Sequence, residues 1–535
     1  MVDRRAFLGL VASGTALTLG ACRSARSGPT SVATPSTTTT TPPTPPESAD
    51  RPSSTAEATT PTTADPFTRP AVTPPAPASA PFGLGVASGD PDHRSVILWT
   101  RLVDGAAGNP VTDGTVSVTW ELATDPDMAR VVTSGSAETG PESAHSVHVE
   151  VGDLDPGTTY HFRFGALGVS SPVGRTRTLP APDDDVPVRL VVASCQNYED
   201  GLFTAWRRTL EDAPDLVVFL GDYIYVRDAA RSAVRSHGAP APRTLGEYRR
   251  RWALYTADPD LQAARGSVPW ATVWDDNEVR SDYSGAAGLD DRTLAAYRAW
   301  WEHTPTRAPV PTERGMTIHR EFSLGRRADL WVLDGRQYRD PGVCEPVVGL
   351  PGVGACPEMD DTSRTMLGTE QESWLESGLA ASTATWQIVA QQTVVSDMSV
   401  TIGDTTVVND DQWDGFPAAR RRLLGALAGV PNPVVMSGDI HAAMTAELEL
   451  DGRPVAPEFV TPSITSALTD VANLGLQFAA AAHPAISDID TSSHGYLLVD
   501  IGDGSLTVSR RLVDPLVPGG PPVEDGPVTT IEAVG

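Results

Sequence analysis

Leu216-Val217-Val218-Phe219-Leu220-Gly221-Asp222-Tyr223-Ile224-Tyr225 is the stretch on which the fold turns. Its first five residues are apolar and three of them are β-branched or aromatic, which predicts a strand buried on both faces. Gly221 ends the run. Asp222 then stands at the carboxyl end of the strand, where open α/β sheets place their ligands. Tyr225 follows three residues later and can turn back toward the same point. A carboxylate and a phenol converging on a strand tip point to a hard-metal site. An ordinary Asx turn closing a strand is the alternative that this stretch alone leaves open.

Outward from this strand, buried runs alternate with helical stretches from Val188 onward, the pattern of an α/β body. Strands are predicted at 189–193, 271–274, 329–333, 386–390 and 433–436, and helices at 202–210 and after a capping box at Thr369-Glu370-Gln371-Glu372. That second helix carries Trp374, Leu375 and Leu379 on one face. Polar groups follow the buried strands repeatedly: Cys195, then Asp222 with Tyr225, then Asp276 with Asn277, then Asp439 with His441. Further strands near 496–501 and 505–508 are expected to complete the sheets.

Residues 81–180 read differently, as short alternating stretches at 95–100, 115–122, 146–151 and 159–164 separated by Gly, Pro and Asp. Val151-Gly152-Asp153-Leu154-Asp155-Pro156-Gly157-Thr158-Thr159-Tyr160 resembles the tyrosine corner of fibronectin-type sandwiches. A β-sandwich follows, with Trp120 expected in its core and His145 and His148 expected on its surface.

Before it, 23–80 is Thr, Pro, Ser and Ala with almost no large apolar residue and reads as an extended tether. Residues 1–22 read as an export signal: Arg4-Arg5 looks like a twin-arginine pattern, and Leu19-Gly20-Ala21-Cys22 looks like a lipobox whose cysteine is acylated. The intervening apolar core is too short to span a bilayer. An exported lipoprotein anchored at Cys22, or a secreted form, is expected. The expected order is therefore signal (1–22), tether (23–80), sandwich (81–180), catalytic body (187–515) and C-terminal tail (516–535).

The chain of 535 residues carries 40 basic and 68 acidic residues, a net charge of −28, so nucleic acid and anionic membrane surfaces are poor partners. Every basic residue is arginine, which excludes a P-loop lysine and Schiff-base chemistry. Cys344 and Cys356 bracket a Pro/Gly-rich loop and are expected to form a disulfide in an oxidising compartment, leaving Cys195 unpartnered. Oligomeric state is not readable.

A thiolate, a phenolate and an imidazole beside a carboxylate suit a trivalent or borderline ion such as iron. Asp276, Asn277, Asp439 and a shared Asp222 offer oxygens to a harder neighbour such as calcium or magnesium. A carboxylate bridging two ions is the arrangement needed to hydrolyse phosphate esters. The alternative is a set of satisfied turn residues and a buried thiol.

Ser-Cys-Gln-x-Tyr at 194–198, Gly-Asp-Tyr-Ile-Tyr at 221–225 and Trp-Asp-Asp-x-Glu at 274–278 resemble the PhoD-like alkaline phosphatase family. So do Leu-Asp-x-Arg-Gln-Tyr-Arg at 333–339, Gln371 with Trp374-Leu375, Gly-Asp-Ile-His at 438–441 and the run 458–463. The resemblance covers nearly everything from about 81 to 515. It implies an immunoglobulin- or fibronectin-like sandwich followed by a metallophosphoesterase-like four-layer sandwich, two mixed β-sheets flanked by helices. It also implies an iron- and calcium-dependent hydrolase of small phosphate esters.

Carried over residue by residue, the resemblance gives Cys195, Asp222, Tyr225 and His441 to a ferric ion. It gives Asp222, Asp276 or Asn277, and Asp439 to one or two calcium ions. Arg336 is a candidate to hold a phosphate oxygen, with a structural salt bridge as the equal alternative. Asn277 departs from the family, which more often shows His there; an amide can be a ligand but not a general acid. Asp282 is an auxiliary calcium candidate. His483 is placed on a lid, His494 is expected to be structural, and His237 and His303 are expected to be solvated. The competing readings are a phospholipase D-like or other phosphodiesterase of the same family, and a surface-anchored binding module.

Overall fold

Two β-sheets stack with their parallel central strands ending at the same rim. The computed structural model describes residues 65–230, 233–344, 353–354, 356–402, 405–519 and 523–534. The expected signal, Cys22 and most of the tether lie outside them. Residues 69–535 form one compact unit; of residues 1–68, only 65–68 are described, as a turn closed by Thr68 N donating to Asp65 O at 3.0 Å.

The first sheet has nine strands in the order Val528–Glu532, Ser505–Val513, His494–Ile501, Val188–Ala193, Leu216–Phe219, Pro269–Thr272, Val86–Gly89, Val96–Arg101 and Ser146–Val151. Val188–Ala193, Leu216–Phe219 and Pro269–Thr272 run parallel and are buried at every residue, as strands covered on both faces must be.

The second sheet orders Arg320–Ser323, Ala328–Val332, Trp386–Ala390, Pro433–Ser437, Arg453–Val460, Ala443–Leu450 and Ile486–Asp490, with a parallel core from Ala328–Val332 to Arg453–Val460. The two-residue side-chain period divides its contacts cleanly. Leu330, Ile388 and Met436 share a cluster with Leu190 and Phe219 of the first sheet. Trp331, Val389 and Val435 pack instead with Leu375, Leu379, Leu423 and Leu424 of the helices Thr369–Ala381 and Pro417–Leu427. Helices Ala205–Asp212, Leu245–Thr256 and Asp291–His303 bring Trp206, Trp252 and Trp300 to the first sheet, where Trp206 packs on Trp270 at 4.7 Å. The body is thus four layers, helix, sheet, sheet, helix.

The N-terminal region is a sandwich whose one sheet, Val131–Thr139, Val116–Ala123, Thr159–Ala166 and Gly174–Arg177, faces Val96–Arg101 and Ser146–Val151 across a core of Leu98, Val118, Leu122, Val149 and Phe162. The tyrosine corner is present: Tyr160 Oη accepts from Asp155 N at 2.9 Å. The sandwich shares its second sheet with the body, because Val86–Gly89 pairs in parallel with Pro269–Thr272.

Several local expectations need correction. Trp120 packs against the sandwich core as expected but is half-buried, lying over Gly135, whereas Trp99 is wholly buried outside that core and donates to Glu302 O at 3.1 Å. His145 is buried; His148 is half-buried, stacked on Trp301 at 4.3 Å and bonded to Thr304 O at 2.9 Å. Nor are His237 and His303 solvated. His237 lies against Glu199 and Tyr255, and His303 against Arg101 and Ala299 O, both in the core. These histidines fill junctions between layers, which a linear pattern does not reveal. The helix Thr369–Ala381 is capped by Gly368 at φ +74 and not by a Thr369 capping box; Gly368 N donates to Thr365 Oγ1 at 2.8 Å. The expected tether runs too far, since Val72 N donates to Leu210 O at 2.7 Å and Arg69 pairs with Asp215. The C-terminal segment includes an edge strand, Val528–Glu532. Cys344 and Cys356 are disulfide-bonded, and no described helix is long and apolar enough to cross a membrane.

Candidate metal centre

Four strand tips meet at the rim. Cys195 follows Val188–Ala193, Asp222 follows Leu216–Phe219, Asp275 and Asp276 follow Pro269–Thr272, and Asp439 and His441 follow Pro433–Ser437 of the second sheet. Gly221 permits the approach of two of these tips. It sits at φ +106, and a Cβ there would lie 2.3 Å from Asp275 N. Cys195, Asp222, Asp439 and His441 all hold the left-handed conformation, at φ 60, 60, 67 and 56. Non-glycine residues adopt it at a cost, and such residues gather at functional sites. The strand tips are stitched by Cys195 N to Gly221 O at 3.1 Å and Gln196 N to Asp222 O at 3.0 Å.

Two ligand groups result, and they share one residue. Cys195, Asp222 and His441 each offer an atom within 4.8 Å of the others, and so do Asp222, Asp275, Asp276 and Asp439. Tyr225 joins the first group: its hydroxyl lies 2.9 Å from His441 Nε2 and accepts from Ser466 Oγ at 2.7 Å. Asn277 lies against the second, donating through Nδ2 to Asp222 Oδ2 at 3.1 Å and Asp276 Oδ1 at 2.7 Å. Its Oδ1 is buried without a hydrogen-bond partner. The carboxylates take the amide nitrogen, so Asn277 would offer Oδ1 to a cation among them once its side-chain amide turns over.

The electrostatics agree. Burial, then the negative charges of Asp276, Glu278 and Asp439, pushes the Asp222 carboxyl well above its usual range. Burial followed by Asp222 and Asp439 pushes the Cys195 thiol up, and burial with Asp222 and Cys195 raises the Tyr225 phenol. Burial and the Arg227 charge lower His441 to about 3, leaving a neutral imidazole. Without cations this pocket holds more negative charge than burial tolerates; with them thiolate, phenolate, carboxylates and neutral imidazole are the forms that ligate.

Arg336 is wholly buried behind the second group. Its Nε is hydrogen-bonded to Asp275 Oδ1, its Nη1 to both oxygens of Asp411 at 2.8 and 2.9 Å, and its Nη2 lies 3.5 Å from Asp439 Oδ1. The guanidinium thus makes the salt bridges of the structural alternative, while Nη2 beside Asp439 has no hydrogen-bond partner among the described residues. Asp282 is exposed near the rim, with its backbone N donating to Asp276 Oδ2 at 2.6 Å. His483 is bonded through Nε2 to Ser399 O at 2.6 Å, and His494 through Nδ1 to Ser463 Oγ at 2.9 Å.

Four participants escaped the sequence reading: Asp275, Glu278, Asp411 and Gln412. Glu278 lies within the quoted Trp-Asp-Asp-x-Glu motif, yet its task is visible only here. Its carboxylate accepts from Asp222 N at 3.1 Å, Tyr223 N at 2.6 Å and Asp275 N at 3.0 Å. Burial pushes it up to about 7 against those three backbone donors, which favour the charged form. Gln412 Nε2 donates to Asp439 Oδ2. The repeated acids at 275–276 and 410–411 were the available signal, but two adjacent aspartates do not say which one faces a site.

A model of the PhoD-like phosphatase family matches residues 190–510, and a model of the PhoD-like phosphatase N-terminal domain matches 68–180. Alkaline phosphatase D of Bacillus subtilis (strain 168) is 39% identical over 414 residues, 72% of this chain and 70% of that protein. A solved structure of PhoD superposes with a TM-score of 0.78 at 34% identity, covering 85% of this chain and 91% of that one. Purple acid phosphatase PPD1 from yellow lupin seeds shares the fold, with a TM-score of 0.51 at 14% identity over 86% of this chain and 74% of its own.

Proposed function

The chain belongs to the PhoD-like phosphatase family and is a phosphoric ester hydrolase, and from that premise we propose that it is an exported alkaline phosphatase working through a ferric ion and one or two calcium ions. Cys195, Asp222, Tyr225 and His441 hold the iron. Asp222, Asp276, Asn277 and Asp439 hold calcium, joined by Asp275. The observation that carries this reading is the sharing of Asp222 between the two ligand groups. When bound, such cations lower the pKa of a water nucleophile and neutralise charge on the transferring phosphoryl group.

The remaining work falls to the chain itself. Glu278 and Arg336 fix the backbone and carboxylates that face the substrate, so the cluster is set before substrate arrives. The neutral His441 needs no deprotonation at working pH. In a chain of net charge −28 the surface at large does not attract an anionic substrate, so its capture falls to the rim. Asn277 supplies no proton to the leaving group, so turnover favours esters with good leaving groups. The twin-arginine pattern, the lipobox cysteine Cys22 and the Cys344–Cys356 disulfide support export with a lipid anchor or release in soluble form.

The deciding experiment is elemental analysis of the purified protein with its visible spectrum and its activity before and after chelation. Iron and calcium, a ferric phenolate colour bleached in Tyr225→Phe, and loss of hydrolysis in chelator are expected. Full activity after exhaustive removal of metal overturns the proposal. Parallel assays with monoester and diester chromogenic substrates separate the phosphatase from the phosphodiesterase reading.

A further inference from the structure

A cavity of about 650 Å3 lies between the segment 69–76, the paired strands Thr159–Ala166 and Gly174–Arg177, and the turn at Ala213 and Asp215. None of the rim residues lines it. Its charge runs against that of the chain: the guanidinium groups of Arg69, Arg175 and Arg177 face the single carboxylate of Asp215 in a protein whose net charge is −28.

The donors are only partly used. Arg69 engages Ala213 O at 3.3 Å and Asp215 Oδ2 at 2.9 Å through Nη1 alone. Arg177 uses Nε for Asp215 at 3.2 Å and Nη1 for Thr159 Oγ1 at 3.4 Å, so among the described residues its Nη2 is left for another acceptor. His161, opposite Arg175 in the strand register, has a buried Nδ1 with no hydrogen-bond partner. Arg175 donates through Nη1 to Ser267 O at 3.0 Å and through Nη2 to Thr159 Oγ1 at 3.4 Å, and burial first, then the Arg177 charge, lowers its pKa. The donors left over on Arg69 and Arg177 match the oxygens of a tetrahedral anion.

We propose that this cavity binds a tetrahedral oxyanion, inorganic phosphate, and that the bound anion tightens the hold of the 69–76 segment, already bonded through Val72 N and Arg69, on the body. Arg69 stands on the segment and Arg175 and Arg177 on the sandwich, so an anion held by both sets ties them together. Pro70, Pro74 and Pro75 form the apolar part of the wall and restrict the segment's backbone, reducing the entropy lost on docking. The choice of phosphate rests on the phosphatase reading, since it is the product released at the rim.

Hydrogen exchange of the full-length holoenzyme, with and without saturating inorganic phosphate, tests this. The amides of 71–73 are expected to exchange at least about fivefold more slowly with phosphate. In the double variant Arg69→Gln, Arg177→Gln that protection is expected to vanish, while peptides covering 221–226 still respond and hydrolysis persists, with a lowered melting temperature because Asp215 loses both ion-pair partners. Arg69→Gln alone, on the half-exposed segment, serves if the double variant fails to fold, and is expected to weaken the protection. Unchanged exchange at 71–73 in the wild type, or equal protection in the variants, overturns the proposal. Failure of the phosphatase reading shows separately, as absent hydrolysis and no response at 221–226.

Discussion

Replacing Glu278 by Gln changes one oxygen to an amide nitrogen and is expected to damage both stability and activity. Glu278 Oε1 accepts from Tyr223 N, and Oε2 accepts from both Asp222 N and Asp275 N, all buried. An amide can keep its oxygen toward one side only. The better orientation keeps the oxygen on Asp222 N and Asp275 N, so the NH2 faces Tyr223 N and leaves that donor without an acceptor. An unsatisfied buried donor costs about 1–3 kcal/mol. Against this stands the relief of a carboxylate that burial pushes up to about 7, which brings the net loss toward the lower half, about 1–2 kcal/mol. The displaced backbone is that of Tyr223, next to Asp222, the residue shared between the ligand groups, and a shift of about 1 Å at a reacting centre costs on the order of 100-fold in rate. The assay is kcat/KM of the metal-loaded protein on a chromogenic monoester, with calorimetric unfolding alongside. Should Glu278→Gln keep kcat/KM within about twofold and the wild-type melting temperature, the claim that its charge aligns three backbone donors is wrong.

Three further outcomes are expected. Gly221→Ala places a Cβ 2.3 Å from Asp275 N at a backbone φ of +106, so it is expected to lose about 3 kcal/mol or more and most bound metal; a wild-type melting temperature and metal content would contradict this. Arg336→Lys keeps a charge but not the fork spanning Asp275 and Asp411, and is expected to lower the melting temperature together with kcat at least about tenfold; a raised KM with unchanged stability would return Arg336 to a substrate-binding role. Burial pulls both His148 and His319 from 6.5 to about 4, so the folded state resists their protonation. Because these folded values lie below the unfolded ones, the stability they contribute is complete above pH ~6.5 and lost as pH falls toward ~4. Unfolding free energy measured across that window should decline with falling pH, and the decline should be shallower in His148→Asn.

Much of the candidate site was legible in the chain because each candidate ligand follows a buried apolar run. Cys195, Asp222, Asp276 and Asp439 each come two or more residues past a strand, and the strand's period and composition are local properties. Tyr225, three residues beyond Asp222, needed only the turn at Gly221. Glu278 was legible as a motif member but not as a support, and Arg336 equally as a phosphate-binding residue or as a salt bridge. Their partners lie on other strand tips, and a guanidinium reads the same whether it meets phosphate or aspartate. The buried histidines were misjudged for the same reason. His148 and His303 are dictated by how the sandwich and the helix Asp291–His303 meet, and no neighbour in sequence announces that.

By itself the sequence determined the alternation of buried strands and helices in the body, the sandwich with its tyrosine corner, the acidic balance and the residue types available at the strand ends. These follow from side-chain periodicity, turn chemistry and charge, which act over a few residues. Only the tertiary structure decided that Tyr225 and His441, 216 residues apart, stand 2.9 Å from each other, that Asp275 joins the carboxylates around Asp222, and that Arg336 faces inward. The two sheets must stack before strand tips from each can share a rim, and that stacking comes from apolar burial summed over the whole core.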